Sequence, residues 1–167
     1  DGREFTDSSW KFINLLLNKV DRKIDSYLNK INKTQRKIDS GKYSDKKVNR
    51  YQMRIDNYSS KISQLNEIKS EVDRLEESSQ MYNITKSNRL STTTDDRSGS
   101  YYNTETEQFD VVWSGSNLGM LAHELKHAYQ FETGALSSGL NFTGIPFYDQ
   151  SDEWEAYRRG ALLGGPT

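Results

Sequence analysis

The residues best suited to chemistry in this chain are His123-Glu124-Leu125-Lys126-His127. On a helix, positions i and i+4 lie one above the other, so both imidazoles reach toward a single point in space. Two neutral imidazoles on one face can bind one metal ion, and a glutamate beside the first is placed to act as a base on a metal-bound water. The chain contains 2 histidines in all, and this stretch uses both. The plainer alternative is a pair of surface histidines on an amphipathic helix.

Two imidazoles do not complete a catalytic Zn2+ site, which takes three protein ligands and leaves the fourth position to water. The chain has no cysteine and no further histidine, so the third ligand is expected to be a downstream carboxylate: Asp149, Asp152, Glu153 or Glu155. Glu153 and Glu155 stand two residues apart, roughly 200° around a helix, so both cannot face one ion. A His, His, carboxylate set lowers the pKa of bound water toward ~7 and polarises a carbonyl. Glu124 would take the proton from that water and pass it to the leaving amine.

Such a site needs rigid elements behind it. Leu118, Leu121, Ala122, Leu125 and Ala128/Tyr129 give the motif helix an apolar face beside the one carrying His123, Glu124 and His127. Ser116 or Asn117 can cap its start, and Gly134 ends it. Upstream, Tyr82–Lys86 alternates like a half-buried strand, residues 91–100 read as a polar loop, and Tyr101–Asn103 with Gln108–Trp113 read as hairpin strands around Thr104–Glu107. Downstream comes a Gly/Ser-rich loop carrying Phe142, Ile145, Pro146, Phe147 and Tyr148. A last helix begins near Ser151, and Gly160 and Gly164-Gly165-Pro166 are expected to fray its end.

The first half reads differently. Ile13, Leu17, Val20, Ile24, Tyr27/Leu28, Ile31 and Ile38 recur at heptad-like steps, and Val48, Tyr51, Ile55, Tyr58, Ile62, Leu65, Ile68, Val72 and Leu75 do so again. Between them, Gly41 suits a helix C-cap and Ser44 an N-cap. Two helices of roughly 30 residues, ~45 Å long, joined by so short a turn fold back antiparallel. The Leu15-Leu16-Leu17 cluster with Trp10 and Phe12 is wider than this stripe and is expected to pack on something besides the partner helix.

The fold class is therefore α+β. A long antiparallel helical hairpin covers 1–80, and 81–167 holds a short antiparallel sheet, the motif helix and a C-terminal helix bearing candidate third ligands. Apolar content of 33% and charged content of 28% fit a chain with much exposed helix surface. Residues 1–80 carry 17 Lys+Arg against 13 Asp+Glu, and 81–167 carry 6 against 11. That is no basic field of the size nucleic-acid binding needs. No apolar run approaches the ~20 residues of a membrane span, and no signal peptide opens the chain. A start at Asp1 rather than methionine reads as a segment of a longer polypeptide.

A His-Glu-x-x-His followed by Glu153-Trp154-Glu155-Ala156 on a later helix resembles the gluzincin group of zinc metallopeptidases. The resemblance implies a zincin-like second half, with Glu153 as third ligand and small residues after it that let the helices approach. It implies that Tyr148, ahead of that ligand, steadies the oxyanion, with Tyr157 as a second candidate. It implies that an edge strand beside the motif helix pairs with a protein or peptide substrate. Gln108–Trp113, including Phe109, Val111 and Trp113, would be that strand. More narrowly, His-Glu-Leu-Lys-His-Ala-Tyr-Gln with Tyr148-Asp149 and Asp152–Arg159 resembles C-terminal metallopeptidase toxin domains of bacterial Rhs/YD-repeat proteins, and Asp1-Gly2-Arg3 resembles the Asp-Gly-Arg that closes their conserved core. That resemblance covers 81–160 and implies a secreted or delivered effector, a parent carrier chain and a cognate immunity protein. The alternatives are a catalytically silent, metal-stapled interaction module and a self-processing domain of an exported protein.

Overall fold

The structure, a computed structural model, describes residues 9–86, 99–113, 117–134 and 150–165, without the side chains of Gln150, Ser151 and Asp152. Tyr148, Asp149 and the aromatic loop at 142–147 lie outside the described residues, as does most of the expected loop at 91–100. The fold is α+β: four helices and a small three-stranded mixed sheet among the described residues.

The helical hairpin forms as its periodicity predicts, with α1 over Trp10–Asp39 and α2 over Asp45–Glu76. Gly41 turns the chain at φ 68°, where a side chain would be strained. Ser44 Oγ accepts from Lys47 N, satisfying one of the free amides that open a helix. Toward the turn the seam is aromatic, with Tyr27 on Tyr58 at 5.8 Å and Tyr43 on Tyr51 at 5.3 Å between ring centres. At the open end Phe12, Ile13, Leu16 and Val20 of α1 and Leu65, Ile68, Val72 and Leu75 of α2 are buried.

That open end shares one hydrophobic core with the second half. The same cluster contains Tyr82, Ile84, Phe109, Val111 and Trp113 of the sheet, Leu121 and Leu125 of the motif helix, and Leu162 and Leu163 near the C-terminus. Residue 80 therefore marks a change of secondary structure and no break in the core. The wide apolar cluster at the start of α1 is accounted for as well. Phe12 meets Trp113 edge-to-face at 5.6 Å and Leu16 is fully buried, whereas Leu15 is exposed.

The strands are β1 over Met81–Lys86, β2 over Gly99–Asn103 and β3 over Gln108–Trp113, in spatial order β1-β3-β2. The β2–β3 hairpin turns through 104–107 as expected, and Gly99 and Ser100, read as loop, extend β2. The sheet is not wholly antiparallel, however: β1 runs parallel to β3, with Tyr82 beside Phe109 and Ile84 beside Val111. These alternate residues line one buried face. The outer edge of β1 is engaged by Ser9, whose Oγ accepts from Ile84 N at 2.7 Å.

β3 is consequently the central strand, and the expectation that it offers an edge to a substrate does not hold. Its backbone pairs on both sides, and Phe109, Val111 and Trp113 point into the core.

Across the sheet's buried face lies α3, over Leu118–Glu132, followed in the described residues by α4, over Gln150–Ala161. Asn117 caps α3, its Oδ1 accepting from Gly119 N at 2.7 Å, and its Nδ2 donates to Gly164 O at 2.8 Å. The C-terminal turn is thus fastened rather than frayed. Leu162 and Leu163 are buried, Gly165 N donates to Gly160 O at 2.8 Å, and Lys19 Nζ donates to Leu163 O at 3.0 Å. α2 is also clasped to both later helices. Arg159 donates to Gln64 O, Glu67 and Glu71, and Lys126 donates to Glu71 at 3.0 Å, in a cluster whose Arg159, Lys126 and Glu71 side chains are largely withdrawn from solvent.

Candidate metal centre

α3 is buried on nearly every face, and this brings its two imidazoles inside the protein. His123 and His127 are 5% and 1% exposed, with ring centres 5.0 Å apart. The third member comes from α4, which crosses α3 at very short range. Gly119, Gly160 and Gly165 make the crossing possible. A Cβ on Gly119 would lie 2.2 Å from Gly165 N and 2.6 Å from Gly160 O, and one on Gly160 would lie 2.7 Å from Gly119 O. Ala156, the small residue one turn after Glu153, is fully buried on the same helix.

This approach sets Glu153 against both histidines. Its Oε1 lies 2.8 Å from His127 Nε2 and its Oε2 lies 3.7 Å from His123 Nε2. One ligand atom from each of His123, His127 and Glu153 lies within 4.8 Å of the others, a group that could hold a metal ion. Donors ~2.1 Å from a tetrahedral ion stand roughly 3.4 Å apart, so this grouping has the scale of a metal site. The proximity of the imidazoles also holds the Glu153 carboxyl below its ordinary value, through the hydrogen bond to His127 and then, against a counteracting burial effect, the charges of His127 and His123.

Glu155 occupies a different place. Its Oε2 accepts from Gln130 Nε2 at 2.9 Å, and Gln130 Oε1 lies 2.8 Å from His127 Nδ1. The two glutamates thus address opposite nitrogens of the same imidazole, as their angular separation on α4 requires.

Glu124 is 5% exposed, with its Oε1 3.9 Å from His123 Nε2. Ser100 of β2 holds its other oxygen: Ser100 Oγ donates to Glu124 Oε2 at 2.7 Å and lies 3.1 Å from the Glu124 carbonyl. Tyr157, one turn beyond Glu153, packs edge-on against His123 at 4.4 Å between ring centres. Tyr157, the second tyrosine named from sequence, therefore borders the group, while Tyr148 lies outside the described residues. Ser100 was not foreseen, because it falls in a stretch of Ser, Thr, Asp and Gly that reads as turn. Gln130 carried a faint signal, standing three residues after His127 on the same helix face.

A buried carboxylate, two buried imidazoles and a half-buried carboxylate converge here, the last on the more open side. No family model matches the chain, and no match is found among curated proteins or solved structures.

Proposed function

We propose that this protein is a zinc-dependent peptidase of gluzincin type. The observation that carries the reading is the convergence of His123, His127 and Glu153 beside a separately held, buried Glu124. A purely structural metal site would use the first three residues and would have no need of the fourth. This ranks the metal-stapled, silent module second.

Zinc held by these residues would supply a bound water of lowered pKa and a Lewis acid for the scissile carbonyl. The chain's own groups do the rest. Glu124 Oε1 takes the proton of the attacking water while Ser100 keeps Oε2 in place, and Glu124 then delivers that proton to the leaving amine. Tyr148, by resemblance, or Tyr157, whose ring packs against His123, would donate to the developing oxyanion. β2 is the strand that carries Ser100 to this site, and its side away from β3 is the better candidate for pairing with an extended substrate. The motif-level likeness to toxin domains supports a further proposal, that the peptidase works as an effector delivered by a larger bacterial protein.

The test is direct. Purified protein should hold one zinc per chain, and Glu124→Gln should keep the zinc and the melting temperature while losing peptide cleavage by several orders of magnitude. Glu153→Ala should lose the zinc. A zinc-free wild type would sink the reading, and undiminished cleavage in Glu124→Gln would reject the assigned base.

A further inference from the structure

The hydrogen-bond chain behind His127 has a built-in polarity. The Gln130 amide NH2 donates to Glu155 Oε2 at 2.9 Å. That fixes the orientation of the whole amide and turns Gln130 Oε1 toward His127 Nδ1 at 2.8 Å. An amide oxygen has no proton to give, so Nδ1 must carry the hydrogen. Nε2 is then the nitrogen left to bind a cation, and it faces Glu153 Oε1 at 2.8 Å.

We propose that Gln130, oriented by Glu155, is the positioning residue that commits His127 to metal binding through Nε2. The inference deepens the metallopeptidase reading and rests on it for its zinc arm. α4 thereby acts twice on one imidazole. Glu153 meets the coordinating nitrogen, while Glu155, through Gln130, sets the opposite one. The same helix crossing that delivers a ligand also sets the hydrogen placement of its neighbour. Outer hydrogen bonds of this kind typically govern metal affinity by 10–100-fold.

The test exploits the polarity. Glu155→Lys puts a donor where only an acceptor stood. The Gln130 amide should flip, present its NH2 to Nδ1 and remove the hydrogen from that nitrogen. Glu155→Gln can still accept and should behave as wild type. Adding Gln130→Glu to Glu155→Lys restores an acceptor that cannot flip, and should rescue. One readout is the imidazole Nδ1–H resonance of His127 in the metal-free full chain at mildly alkaline pH. The other is zinc affinity by chelator competition.

The resonance should be present in wild type, lost in Glu155→Lys and regained in the double variant. Zinc affinity should fall about 10–100-fold and recover in parallel. An unchanged resonance in Glu155→Lys, or a folded double variant that fails to recover it, would overturn the proposal. If Glu155→Lys does not fold, Gln130→Leu takes its place, and an undiminished Nδ1–H signal there overturns it equally. A wild type that binds no zinc would defeat the peptidase reading alone, since the resonance arm needs no metal.

Discussion

Gly119→Ala tests whether the contact between α3 and α4 builds the proposed metal centre. The added methyl would sit 2.2 Å from Gly165 N, 2.5 Å from Gly165 Cα and 2.6 Å from Gly160 O. Ordinary contact begins near 3.4 Å, and all three neighbours are backbone atoms that no rotamer change can move. The helices must separate by roughly an ångström, or the C-terminal turn must leave its seat. Overpacking of this kind costs about 1–3 kcal/mol, offset in part by the ~1 kcal/mol by which alanine is preferred to glycine in a helix. The expected loss of stability is therefore modest, about 0–2 kcal/mol.

The effect on metal should be disproportionate. Glu153 rides on α4 and both histidines on α3, and ligand distances tolerate only about 0.2 Å. Zinc affinity should fall at least about tenfold, equivalent to ~1.4 kcal/mol, beyond the change in melting temperature of the metal-free protein. Gly41→Ala is the control. It strains a φ of 68° with no atom nearby and lies at the far turn of the hairpin, so it should lower stability and leave zinc affinity alone. Chelator competition and thermal melting of the metal-free protein decide the matter. Wild-type affinity and stability in Gly119→Ala would refute the argument that this crossing must be so close.

Other consequences concern the groups around the centre. Ser100→Ala removes the 2.7 Å donor to Glu124 and should slow peptide cleavage about 10-fold or more while zinc content stays constant; an unaltered rate would mean that Glu124 is held by other means. Glu71→Ala leaves Lys126 and Arg159 facing each other without their shared carboxylate, and should cost about 3 kcal/mol in chemical denaturation. A cost near zero would show that the clasp between α2 and the later helices is not needed. Tyr82 is buried and donates to Glu132, which also accepts from Ser78. Burial first, then the Glu132 carboxylate, pushes its phenol above the ordinary value of 10. Its contribution is complete below that pH and declines as pH rises above it, because only the unfolded chain then sheds the proton. Tyr82→Phe should flatten the alkaline fall in unfolding free energy, and an unchanged slope would contradict the assignment.

Much was legible in the residues themselves, and it was the local part. Heptad-like steps, Gly41 and Ser44 specify the hairpin because a helix, its cap and a tight turn are decided within a few residues. His123 and His127 are legible as a pair for the same reason, since i and i+4 always meet on a helix. What tertiary structure alone decided involves segments far apart in the chain. The parallel pairing of β1 with β3 makes β3 central and buries Phe109, Val111 and Trp113, because alternation marks a strand's buried face but says nothing about its neighbours. Ser100 becomes Glu124's partner only when β2 is laid beside α3. Gly160 and Gly165 look like an unravelling end in sequence, yet against Gly119 they leave room for a crossing that a Cβ would block. That crossing, with the angle between residues two apart on α4, turns Glu153 toward the two histidines and Glu155 toward the far side of one of them.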